Sequence, residues 1–511
     1  MTIRLILAAA SGLILILAHA PFGLGFLAWA GFVPLFLSIR GAGWQRACIL
    51  GLVSGIVFFA GTVYWVVNSM YYYGSIDLWL SVPNMLLLAL YLAVYTSLFS
   101  ILFSLAEREL SGFALLWVAP ALWTSFEYLR ATLFTGFPWA LTGYTQVPYL
   151  TVIQLADMTG VFGIGFIAVM ANTAVFLWCR FLIYKEGKRP VKESAIAAVV
   201  IFLVFLYGTV KIRQTDTTTA SWKAVRAAAV QGNIDQSIKW DESALNATVN
   251  IYRDLSLKAR DSGAGFIVWP ETAMPFYVMG DDAKTAAIKA IAKESASFIL
   301  TGIPSYNYDI DGSGYRYFNS AYLFSPEGAF IGKYDKLHLV PYGEYVPFKK
   351  YMPFIKKLTH GAGDFTEGIG PVPIGAGDLM PGVLICYESI FPDIARMMVL
   401  NNATVLVNIT NDAWFGRTSA PYQHFGMGVL RAVENRVYLV RAANTGISAF
   451  VDPVGRVMKK SALFERGLIT EEIRLKTGGK TFYSRYGDVF AFCSLAVSGA
   501  FLVFISIRKF S

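Results

Sequence analysis

The apolar residues of this 511-residue chain are spread unevenly, and that asymmetry limits what it can fold into. Residues 1 to about 212 consist of long apolar runs with few charges. Residues 213 to about 480 have the polarity of an ordinary globular domain, and one last apolar run closes the chain. A helix needs roughly 20 apolar residues to cross a bilayer. Eight runs approach that length: 3–20, 24–39, 47–70, 83–105, 113–129, 160–183, 194–210 and 488–507. The chain therefore reads as a polytopic α-helical membrane domain of about eight spans that carries a large polar insert. Its 15% of charged residues lies well below the roughly 25% of soluble proteins.

The first run imitates a secretory signal peptide, with Arg4, an apolar core and Ala18-His-Ala20. Pro21 would then follow the cut and a second apolar run comes at once, so a retained helix is expected. Counted from an inside N-terminus, one set of short loops and ends holds Arg4, Arg40, Arg46, Arg108, Lys185, Lys188, Arg189, Lys192, Arg508 and Lys509. The opposite loops, 21–24, 71–73 and 132–159, are nearly free of basic residues; Lys211 and Arg213 are exceptions, but they open the long insert, where the rule loses force. This bias places both termini in the cytoplasm and the insert on the outer face. Much of the net charge of +9 comes from these loops, so it reflects topology and not a nucleic-acid partner. Of the four cysteines, Cys48, Cys179 and Cys493 fall in or at the ends of apolar runs, which leaves Cys386 alone in the insert and no disulfide framework.

Within the insert, strand-like segments at 223–230, 265–269, 298–303, 317–324, 329–334, 383–386 and 405–409 alternate with helical ones. The helical segments are 242–259, 282–296, 390–401 and 426–437, and a hairpin of 447–451 with 457–459 turns at Asp452-Pro-Val-Gly455. Alternation with added hairpins predicts an α/β layered sandwich with a mixed sheet. The expected domains are 1–212 with about seven helices, 213–482, and 483–511 with a final helix and tail.

Three reactive groups stand at separate strand ends of the insert. Cys386 ends Gly382-Val-Leu-Ile-Cys386, Glu271 ends Ile267-Val-Trp-Pro-Glu271 and Lys336 ends Gly332-Lys-Tyr-Asp-Lys336. A thiol needs a nearby base or cation to act as a nucleophile. Glu271 suits the base, taking the thiol proton and returning it to a leaving group. Lys336, with a backbone N–H near Cys386, suits the oxyanion of a tetrahedral intermediate. Taken alone, a buried cysteine is more often packing and a glutamate after proline a solvated turn; three such residues, each in a distinctive flanking sequence, outweigh those readings. No metal cluster, phosphate loop or dinucleotide motif is present, so no metal or other cofactor is expected.

Trp269-Pro-Glu-Thr-Ala273, Tyr334-Asp-Lys336 and Cys386-Tyr-Glu388 resemble the Glu-Lys-Cys motifs of the nitrilase, or carbon–nitrogen hydrolase, superfamily. Four further segments, Gln231-Gly-Asn-Ile-Asp-Gln-Ser-Ile-Lys-Trp240, His338-Leu-Val-Pro-Tyr-Gly-Glu344-Tyr-Val-Pro347, Asn411-Asp-Ala-Trp-Phe-Gly416 and Leu133-Phe-Thr-Gly-Phe-Pro-Trp139, narrow the resemblance. They are similar to the bacterial apolipoprotein N-acyltransferase family, over essentially the whole chain. The resemblance implies an αββα nitrilase-like domain on the periplasmic face of the inner membrane. It implies ping-pong transfer of an acyl chain from a phospholipid, typically phosphatidylethanolamine, to the α-amino group of a diacylglyceryl-cysteine apolipoprotein. Cys386 is then the nucleophile, Glu271 the base and Lys336 the oxyanion partner, and Glu344, Trp240, Tyr387 and Glu388 match further functional positions. The partners expected are the two substrates and membrane lipids, with the protein a monomer.

Exposed aromatics at Tyr71–Tyr73, Phe134, Phe137 and Trp139 could line a lipid route or form an ordinary aromatic belt, and Arg130 could contact a phosphate or anchor a helix end. Two other readings stay open. A membrane-tethered amidase shares the reactive residues but leaves the spans without a purpose, and a lipid-binding or transport module with an inert insert would not need Cys386.

Overall fold

In the computed structural model, which describes residues 1–279, 282–309, 314–346 and 364–510, the chain groups into two compact units. One comprises Met1–Val67, Ile76–Arg213 and Tyr486–Ser511, and the other Asn68–Ser75 and Gln214–Arg485.

Apolar sequence with few breakers folds as helix in the first unit. Trp44–Val63, Leu78–Glu109, Ala156–Tyr184, Val191–Thr219 and Val489–Arg508 are the five helices, among the described residues, long and apolar enough to cross a membrane by length and composition. Two of the other anticipated spans are shorter, at Thr2–Ala18 and Gly25–Ile39. The third, Gly112–Thr132, carries Glu127 and Arg130 buried. The anticipated run 47–70 is interrupted: its helix stops at Val63, a short helix Trp65–Asn68 follows, and a wider turn spans Ser69–Tyr73.

Two expectations for this unit are corrected. Arg130 is buried and donates to the carbonyls of Phe137 (3.0 Å) and Trp139 (2.6 Å), so it closes the loop after its helix and is neither a phosphate contact nor a snorkelling anchor. Trp139 is fully buried and stacks on Phe137, while Phe134 alone of that motif's aromatics is largely exposed, at 78%. Glu127 accepts through Oε1 from the Thr142 N–H (2.6 Å) and hydroxyl (2.9 Å), while its Oε2 is buried without a hydrogen-bond partner.

Without water between helices, close backbone approach replaces the hydrophobic effect as the force of association. Gly51 and Gly55, four residues apart on one face of Trp44–Val63, meet small residues of Leu78–Glu109. A Cβ at Gly51 would lie 2.7 Å from the Ser97 Cα, and one at Gly55 2.7 Å from the Ala93 Cβ.

In the second unit thirteen strands are formed among the described residues: β1 Lys223–Gln231, β2 Phe266–Val268, β3 Phe298–Gly302, β4 Ser305–Tyr308, β5 Tyr315–Phe318, β6 Ser320–Phe324, β7 Phe330–Asp335, β8 Pro381–Ile385, β9 Val405–Thr410, β10 Leu439–Ala443, β11 Ala449–Val451, β12 Val457–Lys460 and β13 Gly467–Leu475. One sheet runs β13-β1-β2-β3-β6-β7, a second β12-β11-β10-β9-β8, and β4 with β5 forms a separate hairpin. Helices Glu242–Asp261 and Ala286–Ser295 cover the first sheet, burying Tyr252, Leu255, Ile288 and Ile291 against Ile267, Trp269 and Ile299. Helices Pro392–Leu400 and Ala420–Asn435 pack on the second, and β1 and β10 meet between the sheets. This is the αββα sandwich. Strands β8, β9 and β10 are parallel and buried throughout, which is why β8 and most of β9 read as apolar runs, while Arg441 interrupts β10.

The run 317–324 is not one strand. It divides at Asn319 into β5, paired with the hairpin, and β6, paired in the large sheet. Strands β4, β10 and β13 are additions to the expected set. The charged alternation Thr470-Glu-Glu-Ile-Arg-Leu475 disguises β13, which nonetheless pairs antiparallel with the whole of β1.

Substituting Gly55→Leu should force the two helices apart. Overpacking of this kind costs about 1–3 kcal/mol, and thermal unfolding in detergent should show the transition lowered; an unchanged transition would refute the close-packed interface.

Candidate active site

Cys386 leaves β8 with a backbone φ of +51° and opens the short helical turn Cys386–Ile390. A non-glycine residue held there costs on the order of 1–3 kcal/mol, so the surroundings must fix it. Glu388, two residues on in the same turn, does so. Its Oε2 accepts from the Ile385 N–H (2.6 Å), immediately before the cysteine. Its Oε1 accepts from the Leu337 N–H (2.6 Å) and the Tyr334 hydroxyl (2.8 Å), on either side of Lys336. One fully buried carboxylate thus ties the end of β7 to the end of β8. Burial raises its carboxyl to about 7, against the opposing pull of those N–H groups and of Lys336.

Lys336 is 1% exposed. Burial alone would lower its ammonium, but Glu344 first and then Glu271 hold it well above its usual range. The Nζ lies 3.0 Å and 2.9 Å from the two Glu344 oxygens, and 4.0 Å from Glu271 Oε1. Asn319, at the break between β5 and β6, donates its Nδ2 to Glu271 Oε1 and Glu344 Oε1, both at 2.8 Å. The Asn411 N–H donates to the other oxygen of Glu271 at 2.9 Å. Burial pushes the Cys386 thiol well above its usual range, Glu271 adding to the rise and Lys336 opposing it. The resting cysteine is therefore a neutral thiol beside a carboxylate and an ammonium. Such a group ionises only when a proton acceptor and an incoming electrophile act together.

The structure brings Glu271, Lys336, Cys386, Glu344 and Glu388 into one buried cluster. Tyr387 packs edge-on to Phe391 (5.2 Å) and feels the Lys336 charge. Trp240 stands at the rim, 45% exposed and stacked on Tyr277 at 5.7 Å. Its neighbour Lys239 is buried, its ammonium lowered to about 8 by burial against the pull of Glu271, and it donates to the Glu271 carbonyl oxygen at 3.3 Å. Asn319 and Lys239 escaped the sequence reading. Asparagine is depleted in strands, and its place inside the run 317–324 was the available signal. Pro347, at the end of the motif containing Glu344, lies outside the described residues. Among the described residues no group of three or more His, Cys, Asp or Glu side chains is placed to hold a metal.

Two sheets between helical layers, with a thiol, a carboxylate and an ammonium gathered at strand ends, define the carbon–nitrogen hydrolase class, and residues 226–483 match the carbon-nitrogen hydrolase family. Residues 11–174 match the N-terminal domain of apolipoprotein N-acyltransferase. The chain is 42% identical to the apolipoprotein N-acyltransferase of Geobacter metallireducens, over 96% of this chain and 93% of that one. It is 33% identical to that of Methylococcus capsulatus, over 95% and 92%, and 30% identical to that of Pseudomonas aeruginosa, over 94% and 92%. The chain belongs to the apolipoprotein N-acyltransferase family, acyltransferases within the carbon–nitrogen hydrolase superfamily.

Asn319→Leu removes the amide shared by Glu271 and Glu344 and should lower the rate of Cys386 acylation at least tenfold, the loss of one aligned hydrogen bond in a reacting cluster. Asn319→Asp should be worse, because it sets three carboxylates around one ammonium. Single-turnover acylation of the two variants checks the order; equal rates would show that the amide is structural only.

Proposed function

We propose that this protein transfers a fatty acyl chain from a phospholipid, phosphatidylethanolamine in the first instance, to the α-amino group of an N-terminal diacylglyceryl-cysteine on an apolipoprotein. The observation that carries the chemistry is the buried cluster itself: a neutral Cys386 thiol with Glu271 and Lys336 in electrostatic reach. Family membership supports the substrates.

Cys386 attacks the ester carbonyl while Glu271 takes the thiol proton, so the carboxylate becomes neutral as the sulfur bonds to carbon. The oxyanion is held by the Lys336 ammonium and by the N–H of Tyr387, which has no acceptor within the first turn of its helix. Collapse expels the lysophospholipid alkoxide, which receives the proton from Glu271, and leaves a thioester. The neutral α-amine then attacks, Glu271 accepts its proton, and collapse returns that proton to the departing thiolate. Both half-reactions use the same donors, so one site serves ester and amine in turn. Glu344 holds Lys336 in place, and Glu388 holds Lys336 and Cys386 at a fixed separation. Trp240 and Tyr387 flank the route to the thiol.

The reading extends to topology. The catalytic domain, 213–482, lies on the periplasmic side of the bacterial inner membrane, between a helical domain, 1–212, and a final helix with a cytoplasmic tail, 483–511. Both termini are cytoplasmic and the protein acts as a monomer. A phosphatase fusion after Lys223 should be active, and an inactive fusion would reverse the orientation.

Intact-protein mass spectrometry after incubation with phosphatidylethanolamine should show a fatty-acyl increment on the wild type. Hydroxylamine should remove it, and a diacylglyceryl-cysteine peptide should accept it. Glu271→Gln should carry no increment. Release of the acyl group to water at the same rate with and without the peptide, together with turnover of soluble amides, would replace the transferase reading by the amidase one.

A further inference from the structure

Beside Cys386 lies a second polar cluster whose side chains the steps above do not use; it adjoins the Glu271 site through the Asn411 N–H, between Thr410 and Asp412. Asn408 and Thr410 on β9, Asp412 just after it, Arg441 on β10, Ser389 in the turn after Cys386 and His424 on helix Ala420–Asn435 are all essentially without exposure. Asn408 and Arg441 face each other in the β9–β10 register and their side chains hydrogen-bond. Arg441 also donates its Nη2 to Asp412 Oδ2 (2.8 Å), and Thr410 donates to Asp412 Oδ1 (2.9 Å). Burial costs this much polarity heavily unless each group is paired, which these are.

His424 connects the cluster to the nucleophile. Its Nδ1 lies 3.1 Å from Asp412 Oδ1 and 3.0 Å from Arg441 Nη2. Its Nε2 lies 2.8 Å from the Ser389 hydroxyl and 3.0 Å from the Cys386 carbonyl oxygen. Serine, histidine and aspartate are thus linked as in a hydrolase triad, but Ser389 is fully buried and its hydroxyl points to the Cys386 carbonyl at 3.1 Å, so no substrate reaches it. A carbonyl only accepts, so Nε2 must carry a proton to face it at 3.0 Å. Burial, and after it Arg441, keep the ring neutral. With the proton on Nε2, Nδ1 accepts the second hydrogen of Arg441 Nη2, so the aspartate is joined to the ring through the guanidinium and not by the N–H bond of a triad.

We infer that His424 is a positioning residue for the nucleophile turn: its Nε2–H, with Ser389, anchors the Cys386 carbonyl in the core and thereby aims the Tyr387 N–H at the opposite face. The carbonyl of Cys386 and the N–H of Tyr387 belong to one planar trans peptide and point in opposite directions. Asn408 Nδ2 adds a third, longer contact to the same oxygen, at 3.5 Å. Donors on the carbonyl also polarise that peptide and strengthen its N–H as a donor. The inference rests on the reading of Cys386 as the nucleophile and of the Tyr387 N–H as an oxyanion donor.

The test uses the full-length detergent-solubilised protein with two acyl donors, 4-nitrophenyl butyrate and phosphatidylethanolamine, and with iodoacetamide. Acylation passes through an oxyanion and alkylation does not. His424→Phe keeps a buried ring without the N–H, and should slow acylation by 4-nitrophenyl butyrate about tenfold to hundredfold, somewhat below the loss of an entire oxyanion donor. The KM for the ester and the rate of Cys386 alkylation should be unchanged, while the thermal transition should fall because Ser389 and Arg441 lose a buried partner. His424→Gln, whose amide restores an N–H, should recover most of the rate, and Ser389→Ala should show the same pattern more weakly and decides the matter if the phenylalanine variant does not fold. Wild-type acylation rates in both Phe and Ala variants, or acylation and alkylation falling together with Gln no better than Phe, overturn the inference. A wild type acylated by the nitrophenyl ester but not by phospholipid overturns the proposed substrate and leaves this role standing; one acylated by neither overturns both.

Discussion

The site depends on keeping a lysine ammonium in a place with almost no water. An isolated ammonium would lose its proton or unfold its surroundings there. Lys336 does neither, because Glu344 sits at hydrogen-bond distance and Glu271 at 4.0 Å. The distances differ for a reason. The nearer carboxylate neutralises the lysine, and the further one is held by the Asn319 amide and the Asn411 N–H. Asn319 spans the two and keeps them apart with neutral donors in place of a second cation. A layered fold suits this arrangement, because β2, β7 and β8 each deliver one rigid end to the same volume.

The surrounding polar structure works by fixing backbone, not by touching reactive atoms. Glu388 spends its acceptor capacity on N–H groups and a phenol next to Lys336 and Cys386, and Lys239 donates to the carbonyl of Glu271. His424, Ser389 and Asn408 meet on the carbonyl of Cys386. All three reactive residues are therefore held through main-chain groups at or beside them.

Much of this was legible in the sequence for physical reasons. Burial on both faces makes β8 and most of β9 apolar runs, and the reactive residue types that follow β2, β7 and β8 are conspicuous against such backgrounds. The apolar helices announce themselves by length. What stayed hidden has causes as specific. β13 alternates charged and apolar residues like an exposed segment, and only its pairing with β1 explains the pattern. Asn319 is a strand-breaking asparagine inside an otherwise good strand, and its meaning depends on two glutamates 48 and 25 residues away. Arg130 and Trp139 were assigned to a wet interface by their position near a helix end, yet a local loop folds over both. Such long-range pairings are not written in any window of the sequence.

The positive φ of Cys386 has a consequence for how this position trades one property against another. Glycine would adopt the same backbone without a Cβ penalty, so the chain holds at its most reactive point a residue that its own backbone geometry disfavours. The strain is maintained by the clamp around it, which means that the surrounding network answers to reactivity first. Replacing residues of that network for greater stability would therefore select for relaxed turns, and a relaxed turn carries the sulfur away from its partners. Robustness and reactivity are opposed here at the level of a single dihedral angle.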